Sequence, residues 1–342
     1  MEIIPAELRM KPDANAGAQT FVLWRWIRGI RAGIVAALDA CGAFEWAALS
    51  YLGFSGLLMI VFWKNLPRVG RLLEIHLGAV SAMLALVFAA RRSLNANWGG
   101  GPFGRTLRVV RDWYPQAVFL FCFEELGALE LMIRRSWCDS WILGFDRWIT
   151  GVNPTVWLQQ HVSPPLTDFM QMSYLSYFFF LTVLGFVLYI WGADSNRVES
   201  PKRFAFWAVM TSTMTGYALG YTISLFVPVE SPHYFLAASH VVPLNGGPFT
   251  WMSDLIEHYG RVHGGAFPSE HVVGSFVALL GAWRFRRRLF WIFLPFFACM
   301  CASTVYVRNH YIGDVLAGIV VGWIGFWVGN LLMRLPGACP EN

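Results

Sequence analysis

A-F-P-S-E-H (Ala266 to His271), an apolar run, R-F-R-R-R (Arg284 to Arg288), a second apolar run and R-N-H-Y-I-G-D (Arg308 to Asp314) occupy one stretch of the chain, and a third apolar run follows. Two histidines and an aspartate thus stand at the ends of membrane-length segments, where ionisable groups are costly and usually functional. A helical hairpin that crosses a bilayer and returns puts His271 and His310 on the same side. His310 and Asp314 are four residues apart, so on a helix they share one face and can touch.

The composition agrees with a bilayer setting. Of 342 residues, 56% are hydrophobic and 14% charged, and the mean hydropathy is +0.48. A soluble chain carries about 25% charged residues. The sequence therefore reads as an all-α, polytopic integral membrane protein. Its net charge of +5 reports orientation rather than nucleic-acid binding. The 17 tryptophans, many near the ends of apolar runs, suit interfacial belts. The six cysteines (Cys41, Cys122, Cys138, Cys299, Cys301, Cys339) form no disulfide or metal framework, and Cys299 and Cys301 read as small apolar fillers. The N-terminus lacks the basic-then-apolar order of a signal peptide.

Residues 1 to about 20 are polar. From Phe21 to about Phe44, with Arg25, Arg28 and Arg31 at three-residue steps, the pattern predicts a basic amphipathic helix on the membrane surface. Eight spans are expected at about 45–63, 72–90, 115–133, 168–191, 204–227, 271–288, 289–307 and 312–333, each near the roughly 20 residues a bilayer requires. The corresponding division is a tail and amphipathic helix over 1–44, a transmembrane pair and basic loop over 45–114, a catalytic membrane domain over 115–334 and a tail over 335–342. The arginines at 284 and 286–288, with Arg197, Lys202 and Arg203, place their loops in the cytoplasm. Arg91, Arg92, Arg105, Arg108, Arg111 and Arg334 fall on the same side, and Lys64, Arg68 and Arg71 dissent. The segments Arg134–Thr167, Pro228–Glu270 and Arg308–Tyr311 then face outward, the first with an interfacial helix at about 140–160. The absence of organelle signals and the orientation rule suggest a bacterial inner membrane with its site on the extracytoplasmic face.

A histidine attacks phosphorus when one ring nitrogen is free and the other is held as a donor. Asp314 is placed to hold His310, and His271 can protonate the leaving oxygen. Pro268-Ser269 opens a helix, so free backbone N–H groups and the Ser269 hydroxyl can bind an anion, and Arg308 can add a fixed charge. Zinc held by His258, His263, His271 and His310 is a weaker reading, because no short ligand pair appears and the carboxylate serves better as a partner of a histidine. Glu124 and Glu125, inside an apolar run, suit either a cavity wall that binds substrate hydroxyls or a buried pairing. Glu74 and His76 read as interfacial, and Tyr174 and Tyr177 as packing. Gly99-Gly100-Gly101-Pro102 is a loop without the lysine of a phosphate cradle.

G-A-F-P-S-E-H (Gly265 to His271) and S-T-V-Y-V-R-N-H-Y-I-G-D-V-L-A-G (Ser303 to Gly318) resemble the second and third signature motifs of the type 2 phosphatidic acid phosphatase superfamily, a likeness covering about 115–333. The resemblance implies a six-helix catalytic bundle and a metal-independent, cofactor-free lipid phosphatase or phosphotransferase. It makes His310 the phosphohistidine nucleophile, Asp314 its orienter and His271 the general acid. The substrate it implies is a phospholipid, sphingolipid or polyprenyl phosphate. Ser303-Thr304 stands where the family usually has Ser-Arg, and S-L-F-V-P-V-E-S-P-H-Y (Ser224 to Tyr234) lacks the usual lysine and arginine. Both departures, with R-D-W-Y-P (Arg111 to Pro115) and F-D-R-W-I-T-G (Phe145 to Gly151), are similar to the branch of inositol phosphorylceramide synthase and its bacterial relatives. The candidates for phosphate binding are then Ser269, Arg308, His233 and Arg261. Hydrolysis and transfer to a lipid hydroxyl remain open at this point. So do a lipid-binding or transport protein keeping an inactive motif, and a vanadate-type peroxidase, which the missing cations disfavour.

Overall fold

The computed structural model describes residues 33, 35–95, 101–193, 203–260 and 262–339, and among these the chain is helical with no strand. The helix expected to carry Arg25, Arg28 and Arg31 lies outside the described residues except for its end. An N-terminal pair, α1 (Ala43–Val61) and α2 (Val69–Asn95), is followed by α3 (Pro102–Trp113) and α4 (Pro115–Leu129). Next come α5 (Asp139–Thr150), the short α6 (Pro154–Trp157), α7 (Pro164–Leu175) and α8 (Tyr177–Trp191). Then follow α9 (Phe204–Phe226), the short α10 (Pro232–Phe235), α11 (Pro248–Gly260), α12 (Glu270–Phe285), α13 (Arg287–Tyr306) and α14 (Ile312–Leu332).

All eight expected spans are helical. Five stretches are long and apolar enough to cross a membrane by length and composition: Ala43–Val61, Val69–Ser93, Pro164–Trp191, Arg287–Tyr306 and Ile312–Leu332. The other three are α4, α9 and α12. α4 and α12 have 15 and 16 residues, below the ~20 of a full crossing. α9 has 23 residues, but Thr211, Ser212 and Thr213 dilute its hydropathy, and all three are buried. A helix enclosed by other helices needs no lipid-facing apolar surface, and small polar residues let its neighbours come close.

That closeness is specific. α9 packs most extensively on α14, which in turn lies against α12. A Cβ on Gly325 of α14 would lie 2.5 Å from the Cα of Gly216 on α9, a backbone clash no rotamer relieves. A Cβ on Gly318 would lie 2.7 Å from the carbonyl oxygen of Ser269, so this glycine lets the two histidine-bearing stretches touch.

Several charges read as loop or interfacial residues are instead buried and paired. Arg111 is 7% exposed; its Nη2 donates to Glu45 Oε1 at 2.8 Å and its guanidinium sits 4.5 Å from the Trp207 ring centroid. The Tyr114 hydroxyl donates to the same carboxylate at 2.6 Å. Half-buried Arg203 pairs with buried Asp112 at 2.8 Å, and the Tyr189 hydroxyl of α8 donates to the same carboxylate at 2.9 Å. His76 is likewise buried, 2.7 Å from Glu125, because each offsets the other's cost in an apolar setting. These contacts tie α1, α2, α3, α4, α8 and α9 into one body.

Replacing Gly325 by alanine should lower the thermal unfolding temperature of the detergent-purified protein. Overpacking of this kind costs about 1–3 kcal/mol. An unchanged midpoint would mean that α9 and α14 can separate at no cost.

Candidate active site

The site is built at the N-terminal ends of α12 and α14, and α5 holds it there. Asp139 and Asp146, seven residues apart, lie about two turns apart on one face of α5. Asp146 accepts the Ile312 and Gly313 N–H groups at 2.9 and 2.8 Å, which caps the first turn of α14. Asp139 accepts the Tyr311 hydroxyl at 2.9 Å and the backbone N–H groups of Glu230 and Ser231 at 2.8 and 3.1 Å. One helix thus fixes the third motif relative to the first. Burial pushes both carboxyls above the usual carboxylate range, and their N–H donors pull in the opposite direction.

His310 is 3% exposed. Its backbone N–H donates to the Thr304 carbonyl at 3.1 Å, as does that of Asn309. Its Nδ1 lies 2.9 Å from the Ala266 carbonyl oxygen and 3.4 Å from Asp314 Oδ2. A carbonyl only accepts, so Nδ1 carries the proton and Nε2 presents a lone pair. His271 Nδ1 lies 3.0 Å from that Nε2 and must donate to it. His271 Nε2 is then an acceptor, and the Tyr174 hydroxyl, 3.0 Å away, donates to it. Each proton from Tyr174 to Ala266 is assigned by the one acceptor whose role is fixed. Burial pushes His310 down to about 4, more strongly than its carbonyl bond pulls it up, so its imidazole is neutral at pH 7.

Asp314 is fully buried, with Oδ2 also accepting the Tyr311 N–H at 2.8 Å. It therefore stands beside His310 as expected, but the closer acceptor is the Ala266 carbonyl. Tyr174 is a hydrogen-bond partner of His271 as well as a packing residue. Its helix lies 97 positions from His271, so no local spacing announced it. Glu125 and Glu124 take one role each: Glu125 pairs with His76, and Glu124 lines a cavity beside the histidines.

A cavity of about 100 Å³ opens on the two histidines and is lined by Tyr174, Tyr234, Ser253, Glu257 and Asn309, among others. The expected phosphate grip is arranged differently. Arg308, in left-handed backbone (φ +68°), donates through Nη2 to the Val242 carbonyl at 2.6 Å and does not line the cavity. His233 is exposed and also does not line it. Ser269 is fully buried and its backbone N–H is taken by the Asp314 carbonyl at 3.0 Å, while its hydroxyl has no hydrogen-bond partner in the protein. Arg261 lies outside the described residues; its chain neighbours Gly260 and Val262 line the cavity. The donors described on the walls are neutral: Asn309, Ser231, Ser253 and the tyrosines. His263, weighed as a metal ligand, stacks between Trp137 and Tyr234 and pairs with Glu230 at 2.6 Å.

A profile of the PAP2 superfamily matches residues 140–328. Among curated proteins, a PA-phosphatase related-family protein of Dictyostelium discoideum is 24% identical over 169 residues, 45% of this chain and 30% of the relative. The lipid A 4'-phosphatase of Bacteroides thetaiotaomicron is 28% identical over 163 residues, 39% of this chain and 71% of the relative. The chain therefore spans less than a third of the length of the first of these. No solved structure matches it.

In a ¹⁵N-histidine NMR spectrum at pH 7, His310 and His271 should both show the Nδ1–H tautomer. Tyr174→Phe should move the Nε2 resonance of His271 and leave the His310 tautomer intact. An Nε2–H tautomer at His310 would contradict the bond to Ala266.

Proposed function

The chain belongs to the PAP2 superfamily, and from that premise we propose that it is a metal-independent lipid phosphatase acting through a phosphohistidine. The observation that carries this reading is the unprotonated Nε2 of His310, left so by the Nδ1–H bond to the Ala266 carbonyl and faced by a second histidine at 3.0 Å. The relative named for lipid A 4'-phosphatase supports a phosphorylated lipid as substrate.

In the reaction, the phosphoryl group takes the place of the contact between the two rings. The negative phosphate favours a proton on His271, so His271 works as an imidazolium. His310 Nε2 bonds to phosphorus, the P–O ester bond breaks, and His271 Nδ1–H passes its proton to the leaving oxygen. Tyr174, whose hydroxyl can accept as well as donate, holds the Nε2–H of His271 in that state. The neutral His271 next takes a proton from the incoming oxygen, which attacks phosphorus and releases His310. Asp314 and the Ala266 carbonyl stabilise the charge that His310 carries while phosphorylated.

With water as the second acceptor the product is inorganic phosphate. Transfer to a lipid hydroxyl is the second reading, favoured by the first and third motifs, which resemble the inositol phosphorylceramide synthase branch. The site residues are proposed as His310, Asp314 and His271, with Tyr174 positioning His271. The inner membrane, with the site on the extracytoplasmic face, is the proposed location, on the basic loops at 284–288 and 197–203.

Purified protein in detergent with EDTA should turn over phosphatidic acid or undecaprenyl diphosphate and release phosphate without any acceptor. Headgroup transfer from phosphatidylinositol that appears only with ceramide or diacylglycerol would decide for the transferase. His310→Ala should lower turnover at least about 10³-fold, as loss of a covalent nucleophile does; an unchanged rate would sink the mechanism, and loss of activity in EDTA would overturn its independence of metal.

The pH dependence follows from the low value for His310. Because about 4 lies below the ordinary 6.5, the neutral nucleophile persists as pH falls and is lost only near pH 4. The limb of kcat/KM due to His310 should therefore lie near pH 4, with no loss from this residue between pH 7 and 5.

A further inference from the structure

A second cavity, of about 280 Å³, adjoins the histidine cavity and shares Phe123, Tyr177, Ile256, Gly260 and His271 with it. Away from His271 its walls are largely apolar. Leu120 and Phe178 line it and are 62% and 46% exposed, so it reaches the outer surface of the bundle, where lipid lies. Its polar groups include Glu270, Glu124, Gln116 and Tyr217.

Glu270 is the anomaly. It is 5% exposed, lines this cavity, and neither carboxyl oxygen has a hydrogen-bond partner in the protein. The other buried acids nearby are engaged: Glu125 with His76, and Glu130 with the Ser224 hydroxyl at 2.8 Å. The fold also makes room for this carboxyl. A Cβ at Gly220 on α9 would lie 2.0 Å from Glu270 Oε1. An unpartnered carboxyl in an apolar cavity is costly. It is accounted for if the ligand supplies the missing hydrogen-bond donor.

We propose that this cavity binds the lipid part of the substrate, and that Glu270 selects a lipid carrying a hydrogen-bond donor, a hydroxyl or an ammonium, close to its phosphate ester. Glu270 and His271 line the same cavity, so the donor that Glu270 meets lies on the same ligand as the ester oxygen that His271 handles. The phosphate lies on His310 and the chain leaves past Leu120 and Phe178. This inference rests on the reading of His271 and His310 as the phosphoryl-transfer pair.

The test uses three single-chain lipid phosphates and the full-length protein in detergent. Octadecyl phosphate offers no donor beside the ester, a 1-acylglycerol 3-phosphate offers a hydroxyl, and a sphingoid-base 1-phosphate offers an ammonium as well. One or both donor-bearing lipids should exceed octadecyl phosphate in kcat/KM by about tenfold or more, the scale of one hydrogen bond to a buried acid. Which of them leads tells hydroxyl from ammonium. The ratio should fall towards one in Glu270→Met and in Gly220→Ala, whose methyl group displaces the carboxyl. A wild-type ratio near one, or a ratio unchanged in the folded variants, overturns the proposal.

A binding measurement separates this from the chemistry. On His310→Ala, titration calorimetry with 1,2-octadecanediol, octadecylamine and 1-octadecanol should show tighter binding of the diol or the amine, and Glu270→Met should abolish the preference. That result without turnover of any phosphorylated lipid in the wild type would sink the proposed function and leave the chamber standing. Turnover with no preference among these ligands would do the reverse.

Discussion

The hydrogen bond from His310 Nδ1 to the Ala266 carbonyl sets the polarity of everything around it. A backbone carbonyl has no proton to give, so the tautomer of His310 is fixed, and with it those of His271 and the direction of the Tyr174 hydroxyl. The carboxylate of Asp314, 3.4 Å from the same nitrogen, adds negative potential without being the nearest acceptor. A carbonyl and a carboxylate together keep one nitrogen protonated and the other nucleophilic.

Such an arrangement survives in an apolar bundle only if its supports are rigid. Ala266 precedes α12 and His310 precedes α14, and these helices come together at Gly318 and Ser269. From outside the bundle, Asp146 caps α14 and Asp139 binds Tyr311 and the Glu230–Ser231 backbone. Four N–H groups that the chain would otherwise leave unpaired at a helix start and a loop are thereby satisfied. The pairs Arg111–Glu45, Arg203–Asp112 and His76–Glu125 tie further helices to the core. In the buried pairs Arg111–Glu45 and His76–Glu125 each member offsets part of the other's desolvation, while Arg203 stays half-buried.

The sequence made the histidine core legible because its information is local. His310 and Asp314 are one helical turn apart, and the hairpin from His271 to His310 has a length that only one topology satisfies. Hydropathy likewise placed helix at all eight expected segments, the enclosed α9 included, although 168–191 is divided between α7 and α8. What stayed hidden was of two kinds. The acceptor at Ala266 is a backbone oxygen, which has no residue identity to read. Tyr174 and Asp139 act across more than 90 positions and nothing in their own neighbourhoods marks them; Asp146 lies in the singled-out stretch F-D-R-W-I-T-G, but its cap on α14, 166 positions away, is not legible there. Arg308 is a related case. Its place beside His310 suggests a phosphate ligand, and in the structure its backbone is left-handed and its guanidinium donates to the Val242 carbonyl, a long-range contact that no local spacing announces.

Glu125 and Glu270 show how this distinction bears on function. Both are glutamates on short helices of the bundle, and both are buried. Glu125 meets His76, so the cost of taking a carboxylate from water is largely offset within the chain, and its presence needs no ligand. Glu270 meets only a space shaped for it by Gly220 and a cavity that reaches the lipid-facing surface. A protein under no pressure beyond stability would fill that position with an apolar side chain, since the helix face around it is otherwise hydrophobic. Under the proposed function, the uncompensated acid is half of an interaction whose other half arrives with the substrate, in the chamber that His271 also lines.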